Sequence, residues 1–348
     1  MAYTDIDKSD DYFNTVLYTG TGTTNNITVG FKPDFTWIKR RNSDRDHCLF
    51  NIISGTNNVL SSNLTSEEEG TGAGGWTATS TGFDVGVFNK TNSSGDTYAS
   101  WNWLASNTTV SNTDGSITST VSADTTSGFS IATYTGNGVS GANFGHGLSG
   151  IPDLLIIKNR DQADNWTVIP GNANILGGSY YLEFTTGAKV GNSDVYTSYP
   201  GVSINYLSTN HRVNANGEDY VCYSFRSIKG FSKIGNYTGN NSSDGPFIYT
   251  GFKPAWLMVK RSDAPEYWNI LDTARADVPN ANPTDQALYA NDSSAEYSET
   301  QGIDLVSNGF KVREGGAGWC NASGATYIYM AFAESPLVTS TGIPTTAR

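Results

Sequence analysis

Three segments of the chain enter a strand through proline and carry apolar residues on both alternating faces: Pro33-Asp34-Phe35-Thr36-Trp37-Ile38-Lys39, Pro152-Asp153-Leu154-Leu155-Ile156-Ile157-Lys158 and Pro254-Ala255-Trp256-Leu257-Met258-Val259-Lys260. Proline at a strand entrance removes no needed ladder donor, and apolarity on both parities is what burial on both faces requires. At one fixed offset beyond each lysine stands His47, Trp166 or Trp268, and two residues later Leu49, Val168 or Ile270, so a second strand repeats too. Upstream, Tyr18-Thr19-Gly20, Tyr134-Thr135-Gly136 and Tyr237-Thr238-Gly239 each read as a strand running into a glycine turn. Downstream, Gly-x-x-Tyr recurs as Gly95/Tyr98, Gly217/Tyr220 and Gly324/Tyr327 and opens a strand of strict alternation. In that strand Ala99, Trp101 and Trp103 share one face, as do Val221, Tyr223 and Phe225, and Ile328, Met330 and Phe332. These residues are predicted to point into the core.

The chain therefore repeats itself three times, and the repeat decides the architecture. Each unit holds about seven short strands in roughly a hundred residues bounded by Gly, Asn and Ser turns, the pattern of a β-sandwich. The prediction is an all-β protein of three tandem β-sandwich repeats with jelly-roll topology, at residues 12–106, 128–226 and 230–334. A sheet array in which repeats share strands fits the periodicity equally. An arm at 1–11 precedes the units and a tail at 335–348 follows them. Residues 107–127, poor in apolar side chains and rich in Ser, Thr, Asn and Asp, read as a linker. Only Ser227-Ile228-Lys229-Gly230 separates the second and third units, which predicts that these two pack as a rigid pair while the first folds by itself.

The opening Tyr12-Phe13-Asn14-Thr15-Val16-Leu17-Tyr18-Thr19-Gly20, the strand Phe31 to Lys39, the Gly230-Phe231-Ser232 start with Tyr237-Thr238-Gly239, and the ending Tyr327 to Glu334 carry a specific likeness. From about Tyr12 to Arg348 the chain resembles a repeat domain in virion structural, tail-fibre-like proteins of marine and other tailed phages, a domain similar to concanavalin-like lectin sandwiches. The resemblance implies a virion protein made in the host bacterial cytoplasm, of tail-fibre or surface-fibre type. Its work would be assembly with other virion proteins and recognition of a host-surface polysaccharide or receptor, as a homotrimer. A capsid-decoration or head-fibre protein without a receptor role is the alternative, and a glycan depolymerase the third reading. The second repeat departs from the pattern: the usual Gly-Phe is missing, with Gly201-Val202 near its place, which predicts a displaced or lost strand.

Composition narrows the picture further. With 38 Gly, 12% aromatic and 16% charged residues the chain disfavours long helices. A net charge of −12, and no basic cluster beyond Lys39-Arg40-Arg41, argue against nucleic acid as a partner. The start Met1 to Lys8 lacks the basic and apolar regions of a secretory signal, and no apolar run approaches a membrane span, so a soluble chain without membrane insertion is expected. Cys48, Cys222 and Cys320 are odd in number and widely spaced, which indicates neither a disulfide framework nor a zinc site.

A search for chemistry returns little. His47 and Cys48 are neighbours in a strand and so point to opposite faces; His47 stands where Trp166 and Trp268 stand, and packing is its expected role. His146 and His211 have no second ligand at metal spacing, and no metal or other cofactor is expected. No pair of carboxylates matches the spacing glycosidases use, and Glu67-Glu68-Glu69 reads as a solvated loop, so catalysis is not expected. The lysine repeated in all three units is expected to cover apolar surface with its stem while the ammonium stays in water. The glycan- or partner-binding candidates are Trp319 and Asn321, in the glycine-rich insertion Gly315-Gly316-Ala317-Gly318-Trp319-Cys320-Asn321. There the indole either offers a sugar-stacking platform or folds back over its own sandwich.

Overall fold

The structure, a computed structural model, describes residues 3–72, 74–276, 282, 284–298 and 302–345. It is all-β, built of several antiparallel sheets. The first unit contributes strands β1 (Phe13–Thr19), β2 (Phe35–Arg40), β3 (Cys48–Asn51) and β4 (Thr97–Trp103), in the order β1-β4-β2-β3. The second contributes β5 (Ser119–Asp124), β6 (Phe129–Thr135), β7 (Leu154–Asn159), β8 (Thr167–Pro170), β9 (Tyr180–Glu183) and β10 (Asp219–Phe225). Their order is β5-β6-β10-β7-β8-β9, extended at its two edges by short strands at Val110–Asn112 and Val190–Gly191. The third contributes β11 (Ser232–Thr238), β12 (Phe252–Arg261), β13 (Trp268–Asp272), β14 (Gln286–Tyr289) and β15 (Thr326–Pro336), in the order β11-β15-β12-β13-β14 and continued by Tyr297–Ser298. One four-stranded pattern thus occurs three times, with β4, β10 and β15 each lying between an opening strand and the proline-led strand.

A smaller sheet packs on one side of each large one. In units one and three it has three strands, Asn25–Thr28, Gly82–Val85 and Thr77–Thr79, then Phe247–Tyr249, Gly309–Val312 and Ile303–Val306. Among the described residues unit two has only the pair Asn143–Gly145 and Ile204–Tyr206, at the place where its Gly-Phe is missing. Pro33 and Pro152 precede their strands, whereas Pro254 lies inside β12 at a register shift, because that strand begins two residues earlier.

Alternation in β4, β10 and β15 sends one set of side chains to the small sheet and the other to a core that all three units share. Tyr98, then Tyr220 and Cys222, then Tyr327 and Tyr329 enter three separate cores, one per unit. Trp101, Trp103, Tyr223, Phe225, Met330 and Phe332 enter a single common one. There the rings of Trp103, Phe225 and Phe332 form a near-equilateral triangle, with centroid separations of 6.3, 5.6 and 6.2 Å. The large sheets are buried on both faces because one face closes the unit and the other closes the ring of three.

Several boundaries change as a result. Residues 107–127, expected to be a linker, carry a short strand and β5, both hydrogen-bonded into the second large sheet. The low apolar content misled because an edge strand half in solvent needs few apolar residues. The first unit is not separate: the Phe35 ring packs against Tyr223 with centroids 4.4 Å apart, and the Trp101 indole donates to Asp272 at 2.9 Å. The arm is docked, with Ile6 in the common core and the Tyr3 hydroxyl donating to Gly251 O at 2.7 Å. The last strand runs to Pro336, and the tail beyond it folds back so that Ser340 N donates to Asp7 at 2.6 Å. Residues 1–2 and 346–348 of the expected arm and tail lie outside the described residues.

Candidate functional site

The seams between units are built from equivalent residues in rotation, which places one end of the common axis under the control of all three. The Trp166 indole of unit two donates to Ser61 O of unit one, and the Trp268 indole of unit three to Glu183 O of unit two, both at 2.8 Å. His47 of unit one holds the same position and reaches Tyr289 O of unit three at 2.9 Å. Its Nδ1 accepts the Trp37 indole N–H at 2.8 Å, so the remaining proton is on Nε2 and the ring is neutral. Burial and nearby Lys39 hold its pKa well below the usual histidine range. His47 is therefore a packing residue that also closes a seam, while Cys48 points into the separate core of unit one.

Main-chain bonds repeat the rotation. Glu296 N donates to Arg41 O, Glu68 N to Arg160 O and Lys189 N to Ser262 O, at 2.7, 2.8 and 2.7 Å. Two of these seams add an ion pair, Arg41 with Glu296 and Arg160 with Glu68, each at 2.6 Å. Glu68 thus leaves the solvated loop expected for it, its side chain only 12% exposed. The repeated lysines are buried rather than wet. Lys39 Nζ donates to Ser293 O at 3.1 Å and Lys260 Nζ to Thr186 O at 3.0 Å, both across seams, while Lys158 bonds Gln162 O at 3.0 Å within its unit. Removal from water lowers each of the three to a pKa of about 8.

Where the seams converge, the ring opens into a cup of about 270 Å³. Unit one supplies Asn63, Leu64 and Thr65, unit two Asn165, Thr185 and Thr186, and unit three Tyr267, Asn291 and Asp292, with Trp166 and Phe184 below. Asn63 and Asn291 hold equivalent places, their Oδ1 atoms accepting the main-chain N–H of His47 and Trp268 at 2.9 and 2.8 Å. Tyr267 is 39% exposed and stacks on Tyr289 with centroids 4.6 Å apart, so its ring is held rigidly at the rim. Asn165 donates to Glu183 at 2.9 Å. The cup thus places a stiff aromatic wall beside amides, hydroxyls and one carboxylate, the groups that contact with a ring face and with polar atoms would require.

The sequence candidates lie elsewhere. Asn321 is fully buried, donating to Ser242 O at 2.8 Å and Glu314 O at 2.9 Å and accepting from Asn240 N at 2.9 Å. Asn92 and Asn214 do the same work, taking the N–H of Thr21 and of Asn137, each at 2.9 Å. The full repeat is Asn-x-x-Gly-x-x-Tyr, in which the glycines at 95, 217 and 324 have φ of 83, 85 and 70° and the Tyr98, Tyr220 and Tyr327 hydroxyls accept a main-chain N–H. The asparagine is a loop clasp, and its recurrence three residues before each glycine was the available signal. Trp319 is half-buried against the separate core of unit three, and neither residue lines the cup. His146 is buried and its pKa is pushed to about 4, chiefly by desolvation, and His211 pairs with Asp164 at 2.9 Å. The cup residues had no motif to announce them, since they come from loops of three repeats that meet only when the ring closes.

A family profile described as a domain of unknown function, DUF7483, matches residues 8–336, and the chain belongs to that family. No curated protein and no solved structure matches it.

Proposed function

We propose that this DUF7483 chain is a virion structural protein of tail-fibre or surface-fibre type that recognises a host-surface polysaccharide through the cup at the end of its axis. The observation that carries the reading is the cup itself: all three units converge there, and Tyr267 is stacked and exposed among Asn63, Asn165, Asn291 and Thr185. Loops held by rigid seams keep such a surface pre-formed, so little ordering is lost on binding. The acidic charge of −12 suits display in many copies. The partners in this reading are other virion proteins and the host glycan, within the homotrimer that the family resemblance implies.

The test is titration of the purified protein with oligosaccharides from host-cell capsule or lipopolysaccharide, followed by calorimetry. Saturable binding that weakens at least tenfold in Tyr267→Ala, with the fold intact, is the expected result. Binding unchanged in that variant would remove the cup from the proposal. No binding to any host glycan, with antibody labelling on the head of intact particles, would replace it with a decoration protein lacking a receptor role.

A further inference from the structure

The three seams are not equally filled. In unit two the opening strand β6 takes β5 as an additional antiparallel neighbour, with Asp124 opposite Phe129 and Ser122 opposite Ile131. In unit three the matching edge of β11 is covered by the chain leaving unit two. There Ser232 N donates to Ile228 O at 2.9 Å, Ile228 N donates to Ser232 O at 3.2 Å, and Ile234 N donates to Ser227 Oγ at 3.0 Å. In unit one the matching strand β1 pairs with β4 alone.

The register shows which groups that leaves. Leu104 N donates to Tyr12 O at 2.9 Å and Gly20 N to Asp96 O at 2.8 Å, at the two ends of the β1/β4 ladder. Alternation then turns the even-numbered residues of β1 toward β4, and Phe13, Thr15 and Leu17 direct their N–H and C=O to the other edge. Among the described residues no hydrogen bond reaches those groups.

Beside the first half of this edge lies a cleft of about 450 Å³. Phe13 and Thr15 form one side, Ala255 and Ala274 the other, and Ser9 and Ser335 also line it. The hydroxyls of Ser9, Thr15 and Ser335 are all buried without a hydrogen-bond partner among the described residues. The cleft lies where unit three lacks a clamp that the other two units have. Asp34 in unit one accepts Ala105 N at 2.6 Å and Ser122 Oγ at 3.2 Å, and Asp153 in unit two accepts Ser227 N at 2.7 Å. At the corresponding place unit three has Ala255. Asp7, Lys8, Asp10 and Glu334 line the cleft as well, and each is already engaged: Glu334 with Lys253, Asp10 with Lys8, and Asp7 with Ser340. What remains, among the described residues, is a free main-chain edge and three orphan hydroxyls across from Ala255 and Ala274.

We propose that this cleft receives an extended segment of a partner protein, which adds to β1 as an antiparallel strand in the place that β5 takes beside β6. The segment is uncharged where it enters and carries small and hydroxyl side chains, like the Ser-Thr-Val-Ser-Ala core of β5. The inference does not rest on the glycan cup or on the virion reading.

The probe is a synthetic peptide with the sequence of residues 117–126, which contains β5, made with Asp124→Ser because that position would face Phe13 in the cleft, and added to the intact protein. Fluorescence anisotropy should show saturable binding, and amide exchange followed by NMR should slow at Phe13, Thr15 and Leu17. The same peptide N-methylated on its strand-facing amides should bind at least tenfold more weakly, a comparison that leaves the protein unaltered. No saturable binding, equal binding of the methylated peptide, or protection that falls on β6 instead of β1 would overturn the proposal. So would protection of Phe13, Thr15 and Leu17 that rises with protein concentration alone, since the occupant would then be a second copy.

Discussion

Replacing Trp103 with alanine should weaken all three units at once. The side chain is 1% exposed, and its ring lies 4.9 Å from Phe13 and 5.1 Å from Phe35 in its own unit, 6.3 Å from Phe225 in unit two, and 5.9 and 5.6 Å from Trp256 and Phe332 in unit three. Truncation of a buried aromatic residue costs about 3–5 kcal/mol. The indole N–H of Trp103 is buried without a hydrogen-bond partner among the described residues, and its removal relieves about 1–3 kcal/mol. The net cost should therefore fall below that range, at about 2 kcal/mol. Trp103→Phe keeps most of the packing, removes the orphan donor and should cost under about 1.5 kcal/mol. Urea unfolding of Trp103→Ala should show one transition at a lower midpoint, with hydrogen exchange rising together in β4, β10 and β15. If limited proteolysis instead digests residues 12–106 while units two and three stay resistant, the common core does not couple the units and the reasoning fails.

Asp272→Asn should cost about 3 kcal/mol, because Asp272 and Arg275 are fully buried partners at 2.6 Å and the guanidinium would lose one of its two counter-charges; a double-mutant cycle in urea with Glu296→Gln reads the coupling. The buried lysines make a pH prediction: with a folded pKa of about 8 and an unfolded value near 10.4, the unfolded chain binds more protons between those values, so their contribution to stability rises with pH. The buried Cys48 and Cys222 thiols, pushed up to about 12, act in the opposite sense, so the lysine effect is measured as a difference: wild type should gain on Lys158→Met between pH 7.5 and 9.5, and a constant gap would refute desolvation of the ammonium. All three cysteines are free and buried, so the thermal midpoint should not move with a thiol reductant; a large drop would reveal a disulfide.

The strand periodicity and the turn glycines were local, and they made the all-β class and the inward parity of Trp101, Trp103, Tyr223, Phe225, Met330 and Phe332 readable from the sequence. The equivalence of His47 with Trp166 and Trp268 was readable for the same reason, since each follows its lysine at one fixed offset. Parity reports that a face is buried, but not whether it is buried against its own unit or against two others. That choice belonged to tertiary structure: the aromatic faces are too large for a small sheet of two or three strands to cover, and closing three of them on one another removes them from water. Ring closure also determined what the loops became. It turned Glu68 from a surface charge into a seam partner, buried the three lysines, and brought Asn63, Thr185 and Asn291 from distant loops to one cup. Among the described residues the seam between units three and one has neither the covering strand found in unit two nor the aspartate clamp found in units one and two, so β1 keeps a free edge that no single repeat, read alone, could disclose.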